Sequence, residues 1–464
     1  MKEKIQAVLA KASTANLKKT YYYLKKNGLQ AALFAVRERL TKTAYSDYQY
    51  VLPTEEELET QRKESSCLKD PVTISLLVPA YNTNPLYLHA LLKSVQIQTY
   101  PYWELILADA STDPSVAETV QAFIKEKKET RIRYIKLEKN EGISGNSNQA
   151  LRYVTGSYIG LLDHDDLLTP DALYENAVRI LEERQKNAEP MLLYSDEDKC
   201  DESGANYYEV YKKQDFNLDL LLSNNYICHF LVMKTDLLQK LQFRCNFDGS
   251  QDYDLILRGV AEILPEEKKI CHIPKVLYHW RCHSGSTAVN PQSKRYAYEA
   301  GKAALEDFLS CQHWKGSVSH TRHLGFFRIT YEPDVFNARK DIGVLGGRLL
   351  DHGHKVAGGI YNPEGQCPFM GLPAGFSGYM HQAVLQQDAD AVDIRCMRIR
   401  EELEELFREI TGVIYKEDPD TTFFDETLLP TDTDWISLSI RFCREAANRG
   451  YRIMWDPKLE RKIK

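Results

Sequence analysis

Four residues, Asp163-His164-Asp165-Asp166, follow the apolar run Tyr158-Ile159-Gly160-Leu161-Leu162. Carboxylates at the end of a buried strand are hard oxygen ligands at a sheet edge, suited to a divalent cation carrying a diphosphate. The chemical reading of this cluster is a metal site for a sugar nucleotide. The bland reading is a solvated acidic turn.

Two more segments of the same kind precede it, Pro79-Ala80-Tyr81-Asn82-Thr83 and Asp109-Ala110-Ser111-Thr112-Asp113. Asp109 suits hydrogen bonds from a nucleobase or ribose. It also suits a helix cap for the segment beginning near Ser115.

Such residues need elements that bring them to one rim. Apolar runs predict strands over 73–79, 103–108 and 133–137, alternating with helices over 87–98, 115–127 and 147–154. That alternation predicts an α/β fold, a mainly parallel sheet with helices on both faces. Ligands of such sheets bind beyond the carboxyl ends of the strands. No GxGxxG follows the first strand and no GxxxxGK[ST] occurs; Gly343-Val344-Leu345-Gly346-Gly347 is a weak match elsewhere.

At 464 residues with 43% hydrophobic content, the chain can bury a large core and is expected to form two or three domains. Its ten cysteines are scattered without a CxxC pair, which argues against a zinc ribbon, a redox motif or a secreted disulfide framework and favours a reducing cytoplasm. No apolar stretch approaches the length of a membrane span, and the lysine-rich start lacks the pattern of a signal peptide.

Charge is uneven. Residues 1–43 hold ten Lys/Arg against Glu3 and Glu38, about +8, within a formal net of -7 for the whole chain. Ile5, Val8, Leu9, Ala12, Tyr21, Leu24, Leu33, Val36 and Leu40 recur there at helical spacing, predicting a basic amphipathic helix pair. Such an arm suits an anionic membrane surface or packing on its own catalytic domain. The acidic remainder argues against nucleic acid. Residues 44–70, polar and acidic up to Pro71, read as a linker.

Taken in order, the first strand, Asp109, Asn140-Glu141-Gly142-Ile143-Ser144 and Leu161 to Asp166 resemble a family-2 glycosyltransferase of the GT-A fold. The resemblance continues through Tyr194-Ser195-Asp196-Glu197-Asp198-Lys199, Asn225-Tyr226-Ile227-Cys228-His229, Gly249 to Leu255 and Ile273 to Arg281. It is similar to bacterial transferases that build rhamnose-containing or other cell-surface polysaccharides, and it covers about residues 72–309.

The resemblance implies an inverting enzyme of hexosyltransferase type, with Mg2+ or Mn2+ as cofactor and a UDP- or dTDP-sugar as donor. Its acceptor would be a growing, lipid-linked glycan at the inner face of the plasma membrane. Pro79, Tyr81, Asn82, Asp109 and Ser111 would line the donor's nucleoside. Asp163 would touch the ribose or the metal, and Asp165 with Asp166 would bind the cation. Arg281 or His283 would reach the phosphates or metal, and His164 would orient the loop. Asp252 would be the catalytic base, preceded by Gln251 where many relatives carry Glu; on its own residues it also reads as a cap for the helix begun by Tyr253. Asn225, Tyr226, His229 and Gln251 would face the acceptor, with packing an equal account of Tyr226.

From Ile342 onward, Gly346 to Leu350, Gly375 to Tyr379 and Ile440 to Trp455 resemble the later half of another transferase module, without a nucleotide-binding half. Asp434 falls near a base position, and His352 with His354 reads as a solvated loop. The expected organisation is an arm and linker over 1–70, a transferase domain over 71–315 and a truncated, non-catalytic module over 316–464. A sugar nucleotidyltransferase and a glycan-binding scaffold are the rival readings. The first lacks a glycine- and arginine-rich loop after strand one, and the second must account for the full aspartate set. Homo-oligomerisation is left open.

Overall fold

The computed structural model describes residues 14–41, 47–283, 295–416 and 423–463. Ile5, Val8, Leu9 and Ala12 of the arm, and Ser284 to Thr287 after His283, lie outside the described residues. The chain forms two compact units. One takes its residues from 47–216 and 225–312, the other from 1–46, 217–224 and 313–464.

Helix α1 (Thr14–Leu40) is interrupted at Gly28, whose φ of 81° ends one helical run before the next begins. Its second half docks on its own unit. Phe34 lies over Gly375, where a Cβ would come within 2.8 Å of the ring, and meets Phe376 edge-on at 6.3 Å. Glu38 accepts hydrogen bonds from the backbone N–H of Ser377 at 2.9 Å and of Gly378 at 2.6 Å. The arm therefore packs on the C-terminal module.

The segment read as a linker is largely helix α2 (Glu55–Ser66), a correction. A capping box starts it: Thr54 N–H donates to Glu57 Oε2 at 2.7 Å, and Glu57 N–H to Thr54 Oγ1 at 3.3 Å. The glutamates that made this stretch look like solvated linker sit in the first turn, where they complement the helix dipole.

The first unit then alternates β1 (Ile74–Ala80), α3 (Pro85–Gln96), β2 (Trp103–Asp109), α4 (Ser115–Lys127), β3 (Ile132–Lys136), α5 (Gly142–Leu151) and β4 (Tyr158–Leu161). It continues with β5 (Leu167–Leu168), α6 (Ala172–Gln185), β6 (Leu192–Cys200), β7 (Tyr207–Tyr211), β8 (Leu231–Lys234), α7 (Gln251–Ile263), β9 (Ile270–Arg281) and α8 (Arg295–Cys311). The strand order is β3-β2-β1-β4-β8-β6-β9-β5, with β7 on β6. Pairing is parallel from β3 to β4 and between β6 and β9, while β8 runs antiparallel to both its neighbours. The expected α/β sheet is thus present, parallel from β3 to β4 and mixed beyond it.

Strand β1 is buried almost throughout because both its faces are covered. Leu76 and Val78 join Leu105 and Leu107 under Leu88, Leu91 and Leu92 of α3, Val120 and Phe123 of α4 and Ile180 of α6. Helix α5 packs against β1 and β2. Each such fully buried aliphatic or aromatic side chain stabilises the sheet by about 1.5–3 kcal/mol. In β4, Gly160 has no room for a side chain: a Cβ would lie 2.8 Å from Phe230 Cζ and 2.9 Å from Leu76 Cδ2.

The second unit centres on β10 (Ile342–Leu350) paired in parallel with β11 (Arg452–Lys462), with helix α9 (Trp435–Asn448) packed against them. Val344, Val392, Met397, Phe407, Phe442 and Trp455 fill its core. This unit draws in residues 217–224, which no composition shift announces. Their anchor is Asp219, 2.9 Å from the guanidinium of Arg339, which is fully buried and also bonds Asp341 at 2.6 Å. Asp434 caps α9 by accepting from Ser437 N–H at 3.1 Å and Ser437 Oγ at 2.7 Å. Among the described residues no helix is long and apolar enough to cross a membrane.

Candidate active site

Parallel pairing of β1 with β2 sets Ala80 opposite Asp109, so the two segments leaving these strands run side by side. Pro79, the last but one residue of β1, is half-buried, Tyr81 is 46% exposed on the rim, and Asn82 N–H donates to Ser111 Oγ at 2.7 Å. Asp109 is fully buried. It accepts from Ser111 N–H at 2.8 Å, Tyr134 Oη at 2.7 Å and Lys136 Nζ at 3.1 Å. Burial alone would raise its pKa, but these hydrogen bonds outweigh it and hold the carboxyl below the ordinary aspartate range. Asp109 is not the cap of α4: the N-cap position is Pro114, and Asp113, just before it, accepts from Ser115 N–H at 2.8 Å. The sequence reading missed Tyr134 and Lys136. Their strand register was the signal, because β3 sets Lys136 directly opposite Asp109.

The acidic loop after β4 is held by the end of β9. Tyr278 Oη donates to Asp166 Oδ2 at 2.6 Å and accepts from Asp163 N–H at 3.3 Å, and Arg281 N–H donates to Asp166 Oδ1 at 2.7 Å. The Arg281 side chain, 1% exposed, donates to the carbonyls of Asp165 at 2.6 Å and Glu202 at 2.8 Å. The guanidinium assigned to the donor phosphates is thus buried beneath the loop, where it fixes the backbone. His164 Nδ1 lies 3.8 Å from Asp165 Oδ1 within the loop.

The cation-capable set differs from the expected one. Asp165 Oδ2 pairs with His283 Nε2 at 2.8 Å. Asp163 and Asp166 instead converge with His229, their donor atoms all within 4.8 Å of one another. His229, read as acceptor wall, therefore belongs beside the carboxylates. Only the fold could reveal this, since β8 enters the sheet next to β4 by a long excursion in sequence.

Two carboxylates and an imidazole suit a divalent cation such as Mg2+ or Mn2+. Burial, then the charges of Asp165 and Asp163, push the Asp166 carboxyl well above its ordinary range, a crowding that a cation would relieve. Burial and the nearby Lys213 push His229 down to about 3, leaving the neutral ring a metal ligand requires. The His229 ring stacks on Tyr278 at 4.6 Å, and the His229 backbone N–H donates to Glu197 Oε2 at 2.6 Å. Lys213 donates to the carbonyls of Ile227 and His229, fixing the loop from beneath.

Asp252 is the second residue of α7, whose N-cap is Ser250, so it is no cap. Its Oδ2 accepts from Asn225 Nδ2 at 2.9 Å. Burial raises its pKa, against the lowering effect of hydrogen bonds from Cys228, the helix backbone and Asn225. The Cys228 thiol is raised by burial and then by the charges of Asp252, Glu197 and Asp163, and its Sγ lies 2.8 Å from His229 Nδ1. Gln251 accepts from Gly249 N–H at 2.8 Å and braces the turn. Tyr226, 1% exposed and edge-on to Tyr194 at 5.7 Å, offers no ring face to an acceptor; its assignment there is corrected to packing.

Residues 75–242 match the family model described as "Glycosyl transferase family 2". The chain is 40% identical over 245 residues to the uncharacterized protein y4gI of Sinorhizobium fredii, covering 52% of this chain and 26% of that protein. It is 34% identical over 241 residues to the O-antigen biosynthesis protein RfbC of Myxococcus xanthus, covering 52% and 18%. It is 30% identical over 232 residues to a chondroitin synthase of Escherichia coli, covering 49% and 32%. The chain thus spans a third or less of the length of these curated relatives.

Proposed function

We propose that this chain, a family-2 glycosyl transferase by its residues 75–242, moves a sugar from a nucleoside-diphosphate donor to a hydroxyl of a growing bacterial surface glycan. The observation carrying this reading is the grouping of Asp163, Asp166 and His229, with Cys228 Sγ, 2.8 Å from His229 Nδ1, hydrogen-bonded to the raised carboxylate of Asp252.

Asp109 and the rim of Tyr81, Asn82 and Ser111 would hold the nucleoside of a UDP- or dTDP-sugar. Asp163, Asp166 and His229 would hold Mg2+ or Mn2+. When bound, that cation would stabilise negative charge on the departing diphosphate. Asp252 takes the proton of the incoming hydroxyl, and its upward shift brings it nearer the pKa at which a general base works best. One direct displacement would invert the anomeric centre. His283, paired with Asp165, would steady the loop beside the phosphates.

The names of the O-antigen and chondroitin relatives support a polysaccharide product. We take the acceptor to be lipid-linked and the enzyme to work at the cytoplasmic membrane face. The C-terminal unit is read as non-catalytic, since the carboxylate of Asp434 is engaged as a helix cap. The test is turnover of a panel of UDP- and dTDP-sugars, with and without chelator, in the wild type, Asp163→Ala and Asp252→Asn. Loss of transfer in both variants is expected; unchanged turnover in both overturns the proposal.

A further inference from the structure

We infer that Glu197, with Lys213 beside it, is a positioning residue that sets how tightly a divalent cation is held, because the pair fixes the main chain on both sides of the His229 side chain. The ladder between β6 and β8 ends at the pair Tyr194 and Leu231. Beyond it the segment carrying His229 leaves the sheet, and its backbone groups need other partners.

Side chains supply them. Glu197 Oε2 accepts from His229 N–H at 2.6 Å, and Ser195 Oγ accepts from Phe230 N–H at 3.4 Å. Lys213 Nζ donates to the carbonyl of Ile227 at 3.1 Å and to that of His229. The backbone of His229 is thus gripped at its N–H by a carboxylate and at its C=O by an ammonium. Charge-assisted bonds of this kind are roughly twice as strong as neutral ones. Both side chains are withdrawn from water, Lys213 at 0% and Glu197 at 11% exposure, and they lie 3.9 Å apart.

The grip adjoins the clamp on the carboxylates. Parallel pairing sets Glu197 of β6 beside Tyr278 of β9, whose hydroxyl binds Asp166 and whose ring stacks on the His229 imidazole. Neighbouring register positions on two strands therefore hold the two parts of the set Asp163, Asp166 and His229. Neither Glu197 nor Lys213 is among those three, so their effect on a cation passes through the placement of the imidazole. The inference deepens the proposed function and rests on its metal site; the grip itself stands on the hydrogen bonds of His229.

The test is titration of the full chain with Mn2+, followed by electron paramagnetic resonance, with UDP and in parallel with dTDP present. Glu197→Leu/Lys213→Met replaces the buried pair by apolar side chains of similar volume, an exchange that folded proteins commonly tolerate. This variant should unfold thermally near the wild type yet bind Mn2+ about 10–100-fold more weakly. Single Glu197→Ala should weaken binding in the same direction and covers misfolding of the double variant. Glu197→Gln keeps an oxygen for the His229 N–H and should recover most of the affinity. A role in packing alone would shift the unfolding temperature and leave Mn2+ affinity as it is. Unchanged affinity in the folded variants, or a loss in Glu197→Gln as large as in Glu197→Ala, would overturn the inference alone. A wild type that binds no Mn2+ would overturn it together with the metal site. Weaker Mn2+ binding by the variants, with no donor sugar turned over by the wild type, would support the inference and count against the proposed reaction only.

Discussion

The side-chain amide of Asn225 donates to Oδ2 of Asp252 at 2.9 Å, tying a loop between two strands of the sheet to the first turn of α7. The bond fixes the carboxylate's orientation without supplying charge. Asp252→Asn should lower the transfer rate by about 10²–10⁴-fold, the range for losing a general base, with donor binding retained. Asn225→Ala should keep the base and lose only its alignment, lowering kcat by about tenfold. Steady-state kinetics on both variants, with donor affinity measured by calorimetry, checks the split.

A base works only when deprotonated. Burial raises the pKa of Asp252 above the ordinary 3.8, so activity should fall as pH drops through that raised value and be complete above it. The acidic limb of kcat against pH should lie above 3.8. A limb at or below that value would remove Asp252 from the role.

Asp166 carries the corresponding consequence for stability. Its folded pKa lies above the unfolded value, so between the two the folded state binds more protons and stability falls as pH rises. A cation held by Asp163, Asp166 and His229 should reverse that trend. Mn2+ at a hundredfold excess over its Kd should add about 2.7 kcal/mol of stability. The gain should be larger near neutral pH than in mild acid, because the proton competes for the same carboxylates. Thermal unfolding with and without Mn2+ measures it, and Asp163→Ala should abolish the difference.

Much of this arrangement was legible in the residues. The acidic cluster, Asp109 and the first strands could be read because apolar runs ending in carboxylates betray strand ends directly. The composition of the His229 site was not. Its partners lie more than sixty residues away in sequence, and only the antiparallel entry of β8 beside β4 joins them. Arg281 and Tyr226 were misplaced for a different reason: residue type suggested phosphate and sugar, whereas burial directed one to backbone carbonyls and the other to packing. The helix over 55–66 was hidden by its own N-terminal glutamates, which resemble linker until the capping box is noticed.

The second unit depends on a buried charge. Arg339 is fully buried between Asp219 and Asp341, with its guanidinium 4.0 Å from the centre of the Trp314 ring. Arg339→Leu would leave Asp219 buried without its counter-ion and should cost about 3–5 kcal/mol. Urea unfolding followed by tryptophan fluorescence should show the earlier transition. A change below about 0.5 kcal/mol, typical of a surface substitution, would contradict the described packing.

Gly160 offers no donor atom, yet the space above its hydrogen is taken by Phe230, the residue after His229. A methyl group there would lift Phe230 from the strand that leads into Asp163, and the imidazole would be carried away from the carboxylates. Were a cation held by Asp163, Asp166 and His229, its affinity would depend on how closely two neighbouring strands can lie. Position 160 would then tune that affinity while leaving those three side chains untouched.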